Sequence, residues 1–214
     1  MKYVVSVISM LLLVQCNSTD NSKNLETTNK LSKEDSTFYT SEGTKLAKMM
    51  YAGLLTQLNK ALDELGPYEA VKYCNIHAIP ITDSLSQYYG IKAKRTSLKI
   101  RNPKNAPDSL EQRILEMYQK TQSKTPTLIK KDNTIHFFTP IYIAQICLTC
   151  HGNPNTDIPD VTMIALNKFY PDDKARNYEL YDIRGVWHIQ FPENYKSKLS
   201  ENKPNNQTTK INNN

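Results

Sequence analysis

An α+β domain is predicted by three features of this 214-residue chain: a leucine-rich helical stretch comes first, short β-prone runs separated by turn residues follow, and a loop carrying Cys147-Leu148-Thr149-Cys150-His151 interrupts those runs. From Ser41 to Leu65, Leu46, Met50, Leu54, Leu58, Ala61, Leu62 and Leu65 recur at spacings of three and four with no proline between them. Ser41 suits the N-cap, and Gly66-Pro67 stops the helix. The stripe of Met49, Met50 and leucines is core rather than cofactor contact. Pro67 fits the first position of a second helix through Tyr73 and Cys74, which Pro80 ends or bends, and a third short helix covers Ile81 to Tyr89.

After Gly90 the pattern changes. Ile91, Ala93 and Arg95 suit a strand, and Ser97-Leu98-Lys99-Ile100 continues it until Asn102-Pro103. Pro107 or Asp108 opens a helix with Leu110, Ile114, Leu115 and Tyr118 on one face. Thr127 to Lys130 and Thr134 to Phe138 flank Lys131-Asp132-Asn133 as a hairpin. Ile141-Tyr142-Ile143 leads into the cysteine loop, and Gly185 to Phe191 forms a closing strand.

The ends read differently. Residues 1–15 carry Lys2 and then an apolar run from Val4 to Val14, too short for a permanent membrane helix, which reads as a signal peptide. Leu13-Val14-Gln15-Cys16 resembles a bacterial lipobox, with Gln15 in place of the usual small residue. On that reading Cys16 becomes the lipid-modified first residue, and the protein sits in the cell envelope, membrane-anchored and periplasm-facing. If the lipobox is not used, it is secreted. Residues 16–40 and 196–214 are rich in Asn, Ser, Thr and Lys, and read as a disordered tether and a disordered tail around a domain at 41–195.

The net charge of +6 is modest. Its basic clusters, Lys92 to Arg95 and Lys99 to Arg101, lack the interleaved aromatics of a nucleic-acid platform, so no nucleic-acid partner is expected. No nucleophile elbow, phosphate-cradling loop or carboxylate pair emerges, and no catalytic residue is assigned.

The chemistry lies in the pentapeptide. Two cysteines three apart can form thioethers with both vinyl groups of one porphyrin, and a histidine directly after the second can reach its iron. Cys147, Cys150 and His151 therefore read as a covalent haem c site. A thioredoxin-like pair and a short structural disulfide are alternatives. So is a zinc staple made by Cys74, His77, Cys147 and Cys150 in a binding module. Arg95, Arg101 and Asn102 are candidates for holding haem propionates, since a guanidinium fork matches a carboxylate. Equally, Arg101-Asn102-Pro103 and Asn105 can simply build a turn.

Taken in order, Arg95-Thr96-Ser97-Leu98-Lys99, Arg101 to Asp108, Glu111, Pro140-Ile141, Cys147 to Gly152, Tyr170 to Ala175 and Asp182 to Gly185 resemble the bacterial c-type haem domains of PAS-like fold, the Tll-type haem family. Arg176-Asn177-Tyr178 departs from it where a glycine is usual. The resemblance implies a PAS-like antiparallel sheet with N-terminal helices packed on it, and an exported redox or sensor role. It also implies His151 as one iron ligand and, as in some members, a cysteine opposite it, for which Cys74 is available; His77, Met163 and His188 are weaker candidates, and His136 is expected on a strand face. A thiolate opposite His151 implies a low potential. Tyr170 to Asp173 is expected as a turn beside the haem. The functions that follow are redox or small-ligand sensing, or single-electron transfer, with a redox or signalling protein as partner. A peroxidase would need an open distal position with His77 as acid-base residue.

Overall fold

The computed structural model describes residues 31–201; the expected signal segment, Cys16, most of the tether and the tail beyond 201 lie outside the described residues. Helix α1 (Lys33–Tyr88) is followed by β1 (Lys92–Thr96), α2 (Ser109–Thr121), β2 (Thr127–Lys131), β3 (Thr134–Tyr142), the one-turn α3 (Leu148–His151), α4 (Asp160–Phe169), β4 (Ile183–Pro192) and α5 (Tyr195–Glu201). The four strands form one antiparallel sheet ordered β1-β4-β3-β2, in keeping with the α+β class read from the sequence. Among the described residues no helix is long and apolar enough to cross a membrane.

Gly66 adopts φ 77° and breaks α1, so the segment after it folds back along the segment before it. Tyr73 bonds Gln57, and Leu85 comes within 3.7 Å of where a Cβ on Gly53 would stand. Beyond Pro67 the helix runs unbroken through Pro80 to Tyr88, one element where two were expected. Pro80 removes a single backbone donor, and the Thr82 and Ser86 hydroxyls bond carbonyls of the preceding turn, keeping this stretch helical.

The domain extends past both expected boundaries. Ser32 caps α1 by accepting from the Asp35 amide, nine residues before the expected cap at Ser41. Phe38 and Tyr39 supply apolar anchors within this polar stretch, and Tyr39 packs on Phe191 with ring centroids 5.2 Å apart. Lys196 then bonds Glu34 and Asp35 at 2.8 and 2.9 Å, tying α5 to the first turn. Residues 33–40 and 195–201 are thus part of the packed domain.

Each face of the sheet has its own core. Phe137, Trp187, Ile189 and Phe191 pack under the first half of α1, around Leu46 and Met50. Phe138, Val186 and Ile183 pack under Ile114, Leu115 and Tyr118 of α2. The α2 start is a capping box: Asp108 accepts from the Glu111 amide and Glu111 accepts from the Asp108 amide. The expected β2–β3 hairpin forms, but with a two-residue turn of Asp132 and Asn133, φ 48° and 60°, since Lys131 pairs with Thr134 in the ladder. Residues 97–100 leave the sheet instead of prolonging β1.

A Cβ on Gly43 would stand 2.4 Å from the fully buried Phe137 ring, whereas one on Gly53 would make only ordinary contact with Leu85. Gly43→Ala is expected to cost ~1–3 kcal/mol by overpacking. Gly53→Ala is expected to stabilise by ~0.4–1 kcal/mol through its better helix propensity. Thermal unfolding of the two variants checks both signs.

Candidate functional site

The cysteine motif sits on a tight helical turn, with Cys147 at the start of α3 and Cys150 and His151 within it. Cys147, Cys150 and Cys74 are free and half-buried. Three loops hold this turn. The Asn177 and Tyr178 amides donate to the carbonyls of Gly152 and His151, the Tyr181 amide donates to Ile143, and the Lys174 amide donates to Ile100. The segments 97–101, 143–153 and 174–182 are therefore stitched into one wall.

Asp173 is the hub of that wall. Its carboxylate is fully buried and is gripped at 3.1 Å by Arg101 through two nitrogens, at 2.9 Å by Arg176 and at 2.9 Å by the Ala175 amide. Burial would raise its pKa, but the two guanidiniums and the Ala175 amide hold it below the usual carboxylate range. Arg101 goes on to donate to the carbonyls of Cys150 and Ala175. The Ala175 carbonyl in turn accepts from His151 Nδ1 at 2.8 Å. Burial, reinforced by Arg101 and Arg184, keeps the His151 pKa well below the ordinary imidazole range, so the ring is neutral. With Nδ1–H donated to a carbonyl, Nε2 carries the lone pair, which is the arrangement of a metal-ligating histidine.

Cys74, on the second half of α1, lies near enough to Cys150, Arg95 and Arg101 for their charges to act on it, while burial pushes its thiol pKa up. His77, one turn later, is exposed and stacks on Tyr73 with centroids 4.3 Å apart, so the helix turns Cys74 and not His77 toward the motif. Tyr170 stands between these groups, its pKa pushed up to about 12 by burial and by Cys74.

The arginines divide by role. Arg95 is stacked over Trp187 at 5.6 Å, and its pKa is lowered by burial and by neighbouring Arg184. Arg184 donates to the Lys99 carbonyl and lies 5.5 Å over the Tyr178 ring. Among the described residues neither is paired with a carboxylate. Two half-buried guanidiniums lacking an acidic partner, both acting on His151, fit the carboxylates of a haem. Arg101 has a different job, since its fork is closed on Asp173. Asn102 accepts from the Lys104 amide at 3.0 Å and caps a 3-10 turn, which is the turn-building reading of that motif.

Arg184 is the site residue that sequence reasoning did not single out. Tyr142 pairs with Ile183 and Ile141 with Gly185, so Arg184 is the extra residue of a β-bulge. A bulge re-aims one side chain without any local sequence signature beyond a neighbouring glycine. Gly185 fits that place because a Cβ there would stand 2.2 Å from the Thr96 carbonyl oxygen.

The other candidates have partners of their own. Met163 accepts a weak bond from Arg176, and His188 is 1 % exposed under α2, on the sheet face away from α1. Among the described residues no three His, Cys, Asp or Glu side chains converge as a metal cluster. With His77 exposed on Tyr73, the four-ligand zinc staple is not assembled. The chemistry of the donor set that does assemble, two thiols and a neutral imidazole on one turn with a third thiol and two unpaired guanidiniums near it, suits a porphyrin.

Comparison with known proteins places this arrangement. The family model described as Tll0287-like matches residues 9–192. A solved chain described as the crystal structure of the cyanobacterial heme-protein Tll0287 is similar at a TM-score of 0.57 and 19% identity, covering 76% of this chain and 98% of that one. No match was found among curated proteins.

Removing Asp173 leaves Arg101 and Arg176 without their buried partner, so Asp173→Ala is expected to cost ~3–5 kcal/mol in denaturant melts. Because its folded pKa is depressed, the stabilisation from Asp173 is full above the unfolded carboxylate pKa and is lost as pH falls through the folded value. The acid limb of the stability profile should therefore flatten in Asp173→Asn.

Proposed function

The chain belongs to the Tll0287-like family, and from that premise we propose that it is a c-type haem protein, exported and tethered to the membrane by lipid on Cys16, that works in redox or small-ligand sensing or in single-electron transfer. The observation that carries this reading is His151: it sits at the end of a Cys-x-x-Cys-His turn with Nδ1 fixed on the Ala175 carbonyl and Nε2 left as a base. Cys147 and Cys150 would attach the porphyrin, and His151 and Cys74 would hold its iron. Arg95 and Arg184 receive the propionates. Haem iron, when bound, supplies a centre that takes or gives one electron or exchanges its sixth ligand.

What the protein contributes is rigidity and polarity. The Asp173 hub locks the proximal imidazole through Ala175, and Arg101 fixes the Cys150 carbonyl, so the turn bearing both thiols cannot drift. A thiolate and a neutral imidazole, as the two residues holding the iron, would favour its ferric state and a low potential. Burial disfavours the thiolate of Cys74, and the nearby Arg95 and Arg101 charges counter that cost. Lys92 and Lys104 are exposed cations that an acidic redox or signalling partner could meet.

Full-length protein expressed in cells that mature c-type cytochromes is expected to give a pyridine haemochrome of the two-thioether type and a peptide mass carrying one haem. Cys147→Ala with Cys150→Ala abolishes both. Cys74→Ala is expected to move the Soret band and raise the midpoint potential. An unmodified peptide mass in exported protein would overturn the haem reading, and an unchanged Cys74→Ala spectrum would remove Cys74 from the iron.

A further inference from the structure

On the sheet face away from α1, three ionisable side chains form a continuous chain that the haem site does not use. Glu111 Oε1 accepts from His188 Nδ1 at 2.8 Å, and His188 Nε2 lies 2.9 Å from His136 Nδ1. The two inner members are sealed, with Glu111 and His188 each 1 % exposed and the His188 ring stacked on Phe138 at 4.2 Å. His136 is half-buried at the outer end. The other Glu111 oxygen accepts from Lys94 at 2.8 Å and from the Asp108 amide at 2.9 Å.

This geometry fixes the protons. Glu111 is an anion: burial opposes its charge, but the bonds from His188, Lys94 and the Asp108 amide win and hold its pKa at about 2. It can therefore only accept, so His188 carries its proton on Nδ1 and presents the Nε2 lone pair outward to His136. His136 must then donate from Nδ1, which leaves its own Nε2 as the one free base of the chain, at the half-buried end.

We propose that Glu111, His188 and His136 form a proton-uptake relay whose entrance is His136 Nε2 and whose store is His188. A proton from solvent bonds to His136 Nε2, and the proton on His136 Nδ1 passes to His188 Nε2. His136 ends neutral but with its proton on the other nitrogen, and His188 ends as an imidazolium against the Glu111 carboxylate. One proton enters, one is passed on, and the net gain is a single charge lodged between α2 and the sheet. The groups facing this pair favour that order. Glu111 and Asp108 from α2 attract the charge, and Lys94 from β1 competes with it for Glu111. Lys131 repels it at the outer end, where Asp132 in the hairpin turn partly offsets Lys131. A second proton on His136 is refused until about pH 4, because burial, charged His188 and Lys131 all oppose it.

The test is imidazole 15N–1H correlation on histidine-labelled holoprotein titrated from about pH 8 to about pH 5. The expected result is that His188 acquires imidazolium shifts at the same midpoint at which His136 moves its proton from Nδ1 to Nε2 without becoming charged. Independent titration, His136 charging first, or no change in either ring before unfolding would each overturn the relay. Glu111 also closes the α2 capping box, so a second variant that spares the cap is needed beside Glu111→Gln. Lys94→Met removes the competing cation and is expected to raise the shared midpoint by about half a pH unit or more; an unmoved or lowered midpoint counts against the proposal.

Discussion

The geometry of the motif turn depends on one buried carboxylate. Asp173 is a fully enclosed anion that satisfies two guanidiniums and a backbone amide, and through those groups it ties the motif turn to α4. Arg101 reaches the Cys150 carbonyl, Arg176 reaches Asn167 on α4, and Ala175 presents its carbonyl to His151. A buried ion pair is a costly way to stabilise a fold, since desolvation consumes much of the attraction. Its use here is positional: a fork bonded at both ends cannot slide, and the Ala175 carbonyl that it bonds passes that fixity to the His151 imidazole. Apolar packing in the same place would hold the loops together without fixing which way His151 points.

Much of the fold was legible because it is local. The leucine spacing of α1, the break at Gly66, the α2 face and the Asp-Asn turn each involve residues within one or two turns of each other, where periodicity and φ preference act directly. The boundaries were harder. A polar stretch with Phe38 and Tyr39 looks like tether until Phe191 and Tyr195 arrive to cover the rings, and nothing near residue 38 announces partners more than 150 residues away. Pro80 misled for the opposite reason, as a strong local rule was overridden by a helix already held along its length.

The candidate site divides along the same line. Cys147, Cys150 and His151 declare themselves because the chemistry demands adjacent residues. The clamp does not, since Arg101 and Asp173 are 72 positions apart and neither names the other as its partner. Arg101 and Asn102 fit either propionate contacts or a turn, and the sequence leaves both open; a guanidinium fits any carboxylate, and which one it meets is decided by tertiary structure. Arg184 was hidden more deeply, behind a bulge that changes the direction of a single residue.

The same strand links the two ionisable regions of the molecule. Trp187 and His188 are consecutive on β4, so they face opposite sides of the sheet. Trp187 carries Arg95 beside the motif, and His188 holds the inner end of the Glu111 chain under α2. On β1 the alternation repeats, with Arg95 paired to Trp187 and Lys94 paired to His188. A charge gained at His188 is thus separated from the guanidinium above Trp187 by one layer of sheet, through a medium that screens weakly. The two regions are chemically independent, sharing no hydrogen bond, yet any positive charge stored on one face must raise the electrostatic potential felt on the other. If the donor set holds haem as proposed, its place and that of the buried imidazole pair on opposite sides of two paired strands would let proton and electron equilibria influence each other without a moving part.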